Sequence, residues 1–148
     1  MRAAGCFGVD AVHYTGNRYA RAAKFHTDTN RVTDRIALTA VENFGEDLPS
    51  NTKIVCVDLV EGAIPLPEYV HPDSAIYVFG PEDGTLTQQQ VDAADDVVYI
   101  PTTGCLNLAA TVNVLLYDRL AKSGYSHASD ELIRESRDRN NSVKVNLD

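Results

Sequence analysis

The sequence predicts an α/β fold with a mostly parallel β-sheet. Two apolar runs, residues 53–59 and 75–79, are bounded by turn residues, as is typical of strands buried inside a parallel sheet. Segments with a helical pattern alternate with the strands, and no tight hairpin turn joins neighbouring strands. This alternation favours crossover connections between parallel strands.

The first third of the chain contains short elements. Residues 1–8 have the composition of the end of a helix that leaves through a glycine, and residues 11–14 that of a strand. A turn at 15–17 precedes a basic, partly helical segment at 18–25. We predict a second short strand at 36–39 and a short helix at 41–48, which a Pro-Ser-Asn turn closes.

The main strands follow. Residues 53–59, 75–79 and 97–100 are the predicted strands, and residues 87–93 and 106–120 the predicted helices; a loop with three prolines at 61–72 passes over the strand ends. Beyond Gly124 the composition becomes polar. We therefore predict one domain over residues 1–124 and a polar C-terminal tail over residues 125–148, which is loosely ordered from residue 137 onward.

The helix predicted from residue 106 is apolar on nearly every side. Such a helix is buried in a core or in an interface. Pro101 ends the preceding strand, a polar turn follows, and Asn107 lies in the first helical turn, where free backbone N–H groups favour polar ligands. We therefore expect residues 101–107 to hold a ligand.

The bulk composition is that of an ordinary globular domain. The chain has 148 residues, 44% of them hydrophobic, and no apolar run of membrane-spanning length or secretory signal pattern. Three cysteines without paired spacing favour reduced thiols and a cytoplasmic location, and Cys56 is expected to be a small buried residue. Because no His/Cys cluster has metal-ligand spacing, we expect no metal.

The net charge of −8 disfavours nucleic-acid binding, in which phosphate contacts dominate affinity. The charge is unevenly distributed, however. Residues 17–35 contain five basic and two acidic side chains, whereas residues 42–96 contain twelve acidic side chains and one lysine. Two interpretations of the basic segment stay open: a solvated surface, or a nucleic-acid-binding patch that includes Arg18, Arg21 and Lys24.

Three segments leave the carboxyl ends of the predicted strands, where ligands of open parallel sheets bind. They are residues 59–61, 80–82 and 100–106. Gly80 allows the backbone to approach a ligand closely, and the apolar side chains suit packing around an adenine. No Gly-x-Gly-x-x-Gly and no Walker pattern is present, which counts against a Rossmann dinucleotide site or a P-loop.

Two of these segments carry motifs of a known family. The first is Phe-Gly-Pro-Glu-Asp-Gly-Thr-Leu at residues 79–86, and the second runs from Ile-Pro at 100–101 to Cys-Leu-Asn at 105–107, before an Ala/Val-rich helix. In this order and spacing they resemble motifs 2 and 3 of the SpoU-type RNA 2′-O-ribose methyltransferases of the SPOUT superfamily. The resemblance covers roughly residues 2–121, and either motif alone would be weak.

The resemblance implies a trefoil-knotted α/β fold, a mostly parallel sheet with helices on both faces, and a homodimer. It also implies S-adenosylmethionine as methyl donor, S-adenosylhomocysteine as product, no metal, and tRNA or rRNA as substrate. Carried over by position, the cofactor-binding residues are Leu59, Gly80, Ile100, Cys105 and Leu106. Cys105 stands where the family has serine, and we expect it to pack or to contact the cofactor through its backbone. A nucleophilic role has no support, because no histidine is placed by the sequence to activate the thiol.

The resemblance also implies the catalytic residues Arg2, Glu82 and Asn107. Arg2 matches the motif 1 arginine, to which the family assigns activation of the ribose hydroxyl. Glu82 and Asn107 would be polar residues near the reacting centre, although Glu82 also fits a loop carboxylate that caps backbone amides. The opening strand, part of the first helix and the motif 1 asparagine of the family have no counterpart here, which puts catalysis in doubt more than fold.

Three hypotheses remain after this comparison. The first is an active ribose 2′-O-methyltransferase acting on tRNA or rRNA. The second is a catalytically weak knotted protein that binds RNA or serves as a dimer partner. The third, and least supported, is a small nucleotide-binding α/β protein of flavodoxin-like build.

Overall fold

The computed structural model describes residues 1–16, 32–45, 48–81, 83–124 and 128–146. The predicted RNA-binding residues Arg18, Arg21 and Lys24, and the predicted catalytic residue Glu82, lie outside these ranges. The helices are α1 (Arg2–Phe7), α2 (Gln88–Asp92), α3 (Leu108–Lys122) and α4 (Asp130–Ser136), with 3-10 turns at Val32–Asp34 and Leu66–Glu68. The strands are β1 (Ala11–Tyr14), β2 (Ala37–Ala40), β3 (Lys53–Val57), β4 (Ile64–Pro65), β5 (Ala75–Phe79) and β6 (Asp96–Tyr99).

The described strands pair only in parallel. Strands β4, β6, β3 and β5 form a four-stranded sheet in that order, and β1 pairs with β2 in a two-stranded sheet. In the larger sheet, Val55 of β3 lies opposite Tyr77 of β5 and Asp96 of β6. The predicted α/β class with a mostly parallel sheet is therefore confirmed.

Successive side chains of a strand point to opposite faces of a sheet, so the larger sheet has two apolar faces. One helix packs against each of them. The cluster on the α3 face consists of Val55, Val57, Leu66, Tyr69, Val98 and Leu115. The cluster on the other face consists of Cys56, Val78 and Leu86, with Val91 of α2 packed against it. Cys56 is 1% exposed, as expected from its apolar run, and burial raises the pKa of its thiol.

Helix α3 is less buried than its sequence suggests. Leu115 is its one fully buried residue, whereas Val114 is 40% and Tyr117 is 64% exposed. The expectation of burial on nearly every side is thus not met by contacts within the described chain. The sheet covers one side of the helix, and an apolar strip remains on the other.

Two local predictions differ from the structure. The helix predicted over 41–48 is wrong for the residues described: 41–45 form a bend and a turn, and the side chain of Phe44 packs against the cluster of Cys56. Helix α4 was not predicted, although Ser129 caps it by accepting a hydrogen bond from the amide of Leu132 at 3.2 Å. The division into a domain and a tail stays a prediction.

Helix α1 contacts α3, so the start of the chain lies against the helix that follows β6. The predicted glycine exit is present, since Gly8 follows α1 with a φ of 66°, in the left-handed region. No helix in the described ranges is long and apolar enough to cross a membrane.

Candidate functional site

A cleft of about 150 Å³ lies at the carboxyl ends of β3, β5 and β6. Each of the three strands contributes the segment that follows it, and the first turn of α3 closes one side. The five predicted cofactor-binding residues all line this cleft: Leu59, Gly80, Ile100, Cys105 and Leu106. The cleft therefore brings together residues that are up to 47 positions apart in the chain, from Leu59 to Leu106.

Two apolar side chains of the lining are open to solvent. Leu59 is 50% and Leu106 is 40% exposed, although both are leucines. Ile100, which also lines the cleft, packs against the buried cluster of the α3 face. A flat apolar ligand would cover these side chains and gain roughly 25 cal/mol for each Å² of apolar surface removed from water.

Asp58 is the one charged side chain in the described lining of the cleft, and neither family motif includes it. Its Oδ1 accepts a hydrogen bond from the amide of Leu59 at 2.8 Å. Its Oδ2 accepts from the hydroxyl of Thr85 and from the amide of Leu86, both at 2.9 Å. The side chain thus connects the end of β3 to the loop after β5. A signal was available, since Asp58 directly follows the apolar part of a predicted buried strand.

Gly80 lies against this carboxylate. A Cβ atom at position 80 would stand 2.8 Å from Oδ2 of Asp58 and 3.4 Å from the amide nitrogen of Leu86. The first distance is too short for two non-bonded atoms. A larger residue at position 80 would therefore push the Asp58 carboxylate away from its donors, a steric reason for glycine that is separate from the expected approach of a ligand.

The third segment is ordered by local hydrogen bonds. The hydroxyl of Thr102 donates to the carbonyl of Gly104 at 2.6 Å, which closes the turn after β6. Asn107 is the N-cap of α3, and its Oδ1 accepts from the amide of Ala110 at 2.8 Å. Its carbonyl accepts from the hydroxyl of Thr111, a cleft residue, at 3.0 Å. Asn107 therefore caps the start of α3, the helix whose first turn borders the cleft.

Arg2 begins α1 and is exposed, and α1 contacts α3. Asn107 is exposed at the start of α3. Cys105 is exposed in the cleft. The catalytic and cofactor-binding roles given to these residues stay predictions.

A polar cluster lies at the other end of α3. Asp118 pairs with His71 at 2.9 Å and with Lys122 at 2.7 Å. Nδ1 of His71 lies 2.7 Å from the hydroxyl of Tyr77, to which Arg119 donates at 2.9 Å. Burial lowers the pKa of His71 and raises that of Tyr77. These contacts hold the end of α3 to the segment before β5, and no part of the cluster lines the cleft.

Within the described ranges, no group of three or more His, Cys, Asp and Glu side chains is arranged to hold a metal ion. The lining of the cleft combines apolar side chains, glycines, the small polar side chains of Thr102, Cys105 and Thr111, and one carboxylate. Such a lining suits an organic ligand with an apolar ring and a few polar groups.

Solved structures with a similar fold are, by their titles, a SpoU methyltransferase, an rRNA methyltransferase and a tRNA modifying enzyme. The SpoU methyltransferase AviRb from Streptomyces viridochromogenes, in complex with the cofactor AdoMet, is 17% identical with a TM-score of 0.63, over 82% of this chain and 51% of that chain. An rRNA methyltransferase from Sinorhizobium meliloti is 18% identical with a TM-score of 0.59, over 81% and 48%. The A. aeolicus TrmH/SpoU tRNA modifying enzyme is 17% identical with a TM-score of 0.60, over 90% and 75%.

These structural similarities show that the chain shares the fold of the three proteins. The chain spans about half the length of the first two of these proteins. No curated protein has a significantly similar sequence. The sequence profile of the SpoU rRNA Methylase family, however, matches residues 1–117 of the 148. Because that match covers well over half of the chain and contains all three segments of the cleft, this protein belongs to the SpoU rRNA Methylase family.

Proposed function

We propose that the protein is an RNA methyltransferase that transfers a methyl group from S-adenosylmethionine to a ribose 2′-hydroxyl of tRNA or rRNA. One observation carries the proposal: the five residues expected to bind the cofactor line a single cleft, in a chain that belongs to the SpoU rRNA Methylase family. The carboxyl end of a parallel sheet is also where such folds bind ligands.

The residues of the cleft fit S-adenosylmethionine. The exposed leucines at 59 and 106 suit packing against the adenine ring, and Asp58 places a negative charge in a cleft whose ligand carries a sulfonium. Gly80 brings backbone into the same cleft, and Cys105 would contact the cofactor through its backbone. When bound, the cofactor supplies an electrophilic methyl group.

The chain's part in the reaction is alignment and proton removal. A bond would form between the ribose 2′-oxygen and the methyl carbon as the carbon–sulfur bond breaks; S-adenosylhomocysteine would leave, and the hydroxyl proton would pass to solvent water. In-line alignment and proton transfer are the two contributions that a protein makes to such a step. We assign alignment to the start of α3, where Asn107 lies, and activation of the hydroxyl to Arg2.

Arginine is a poor general base in its ordinary charged state. We therefore propose that Arg2 acts as a cation that stabilises the developing oxyanion and holds an RNA phosphate, with Glu82 as a further polar residue near the reacting centre. The basic residues Arg18, Arg21 and Lys24 would contact RNA phosphates, a role that their local positive charge supports.

We propose a homodimer in which the apolar strip of α3 lies in the interface. The strip includes Val114 and Tyr117, which are three residues apart and so lie on one side of the helix. The cleft of about 150 Å³ is also smaller than the ~300–1,000 Å³ usual for small-molecule sites, so a second subunit would help to enclose the cofactor.

The knotted path remains part of the proposal. Lys122, near the end of α3, donates to the carbonyls of Leu66 and Tyr69 at 2.5 and 3.1 Å. The end of α3 therefore lies against the chain that connects β3 to β5. This contact is compatible with a helix that has passed through a loop, as in the SPOUT superfamily.

The experiment is methyl transfer from radiolabelled S-adenosylmethionine to unmodified tRNA and rRNA, followed by alkaline hydrolysis. A 2′-O-methyl group blocks hydrolysis of the adjacent phosphodiester, so the label should appear in alkali-resistant dinucleotides. Label in single nucleotides would point to base methylation and contradict the ribose assignment. Cofactor and RNA binding without transfer would favour the catalytically weak alternative.

A further inference from the structure

We infer that Asp58 is a positioning residue that fixes the shape of the cleft by holding the loop after β5 against the end of β3. The inference rests on the proposed cofactor site. It assigns to Asp58 no contact with reacting atoms. It also explains the glycine at position 80, because the Asp58 carboxylate occupies the space beside a Cβ atom there.

The contacts of Asp58 join two of the three segments that line the cleft. Both carboxylate oxygens are used: one accepts from the amide of Leu59, and the other from the hydroxyl of Thr85 and the amide of Leu86. The amide of Asp58 donates to the carbonyl of Val98 in β6 at 3.1 Å, which extends the sheet by one residue. Asp58 is therefore held by β6 through its backbone, while its side chain holds the loop.

The three donors require a carboxylate rather than an amide. Asparagine has one acceptor oxygen and an NH₂ group that only donates. In Asp58→Asn, one side of the amide would therefore face an N–H or O–H donor without an acceptor. Hydrogen bonds to an ionised carboxylate are also stronger than neutral ones. The loop after β5 should therefore be held less tightly in Asp58→Asn, although the two side chains have nearly the same volume.

Gly80 and Asp58 are predicted to be energetically coupled. A methyl group at position 80 would stand 2.8 Å from Oδ2 of Asp58 and would displace the carboxylate from its donors. When Asp58 is replaced by alanine, that oxygen is absent and the methyl group has room. Residues in contact commonly show such non-additivity, and residues without shared partners do not.

The test is a double-mutant cycle of Gly80→Ala, Asp58→Ala and the double variant in the full chain. The readouts are the dissociation constant of S-adenosylmethionine by calorimetry, the thermal midpoint, and amide hydrogen exchange at Leu59 and Leu86. Each single variant should weaken cofactor binding about tenfold or more, as expected for the loss of a charge-assisted hydrogen bond. Adding Gly80→Ala to Asp58→Ala should lower the thermal midpoint much less than adding it to the parent protein, because the carboxylate that the methyl group would meet is absent. Equal effects of Gly80→Ala on the thermal midpoint in both backgrounds would overturn the inference.

Asp95 provides a matched control. It is also a carboxylate that accepts a strand amide, that of Ile54 at 2.8 Å, and it pairs with Lys53 at the opposite end of β3. Asp95→Asn should raise exchange at Ile54 and leave cofactor affinity unchanged. Asp58→Asn should raise exchange at Leu59 and Leu86 and weaken binding. Equal loss of affinity in both variants would show a general effect on the sheet and contradict a positioning role.

Milder variants keep the test decisive if those at position 58 fail to fold. Thr85→Val removes one of the three donors, whereas Thr85→Ser keeps the hydroxyl. The valine variant should weaken cofactor binding and the serine variant should not; identical behaviour of the two would contradict the inference. If the unmodified protein shows no affinity for the cofactor, the proposed function fails, and the 58–80 coupling is still measurable from thermal midpoints and exchange.

Discussion

The imidazole of His71 bridges the β-sheet and the end of α3, with Nε2 2.9 Å from Oδ2 of Asp118. The other nitrogen, Nδ1, faces the hydroxyl of Tyr77, which already accepts a hydrogen bond from Arg119. The neutral ring with its proton on Nε2 satisfies both neighbours, because it donates to Asp118 and accepts from Tyr77. If Nδ1 also carried a proton, the hydroxyl of Tyr77 would lose the nitrogen to which it donates, and two hydrogen-bond donors would face each other.

This arrangement predicts a pH dependence of stability. Burial lowers the pKa of His71 below its ordinary value of 6.5, with Arg119 and Lys122 acting in the same direction and Asp118 opposing them. A histidine whose pKa is lower in the folded than in the unfolded state contributes stability at pH values above its unfolded pKa. That contribution is lost as the pH falls. Urea unfolding should therefore give a lower free energy of unfolding at pH 5.5 than at pH 7.5.

The matched variant is His71→Gln, in which the side chain can still donate to Asp118 but does not titrate. Its free energy of unfolding should change less between the two pH values than that of the parent protein. If the two proteins lose stability in parallel, the pH dependence does not come from His71.

Variants of Asn107 can separate its capping of α3 from its proposed role in aligning the ribose. Asn107→Ala removes the acceptor for the amide of Ala110 and should cost about 1 kcal/mol of stability. Asn107→Ser keeps a cap. If Asn107 also orients the ribose or Arg2, the serine variant should retain its stability and its affinity for the cofactor but transfer methyl groups more slowly.

Thr87 is the control for this prediction. It caps α2 in the same manner, with Gln90 completing a capping box. Thr87→Ala should lower stability by a similar amount, about 1 kcal/mol, and leave transfer unchanged. Full transfer activity in Asn107→Ser would reduce Asn107 to a cap.

Arg2→Ala should leave cofactor affinity intact, because the cleft is lined by later segments of the chain. Methyl transfer to RNA should fall steeply, by about tenfold or more, if the cation stabilises the developing oxyanion. Arg2→Lys keeps the charge and should restore part of the rate. An Arg2→Ala protein that methylates RNA as fast as its parent would remove Arg2 from the mechanism.

The dimer is tested at Tyr117, the most exposed member of the apolar strip. Tyr117→Glu would place a charge in a buried interface and should shift the mass by light scattering from dimer to monomer. Glu131→Lys, on the exposed helix α4, should not change the mass. A parent protein that is monomeric at micromolar concentration would contradict the interface and the shared cleft.

The sequence predicted the strands around the cleft well because they have unambiguous signals. The run at 75–79 is a buried strand between turn residues, and its predicted bounds are those of β5. The predicted strands at 53–59 and 97–100 differ from β3 and β6 by one or two residues at their ends. Four of the predicted cleft residues lie in the family motifs at those strand ends, and Leu59 was carried over by its position.

The sequence did not predict features that depend on contacts between distant segments. Asp58 receives two of its three hydrogen bonds from residues 27 and 28 positions later, which no local pattern encodes. His71 and Asp118 meet across 47 positions. The helix predicted at 41–48 is wrong for a different reason. The apolar residues there include Phe44, whose packing against the sheet outweighs a weak helical preference.

The most direct test of the account is a calorimetric titration of the unmodified protein with S-adenosylmethionine, S-adenosylhomocysteine and ATP, repeated with Gly80→Val. Gly80→Val places its first side-chain carbon against Asp58 and adds two methyl groups at the cleft. The account predicts micromolar binding of the first two compounds, no binding of ATP, and loss of binding in the variant. Absence of heat for both adenosyl compounds, or equal affinity for ATP, would contradict it.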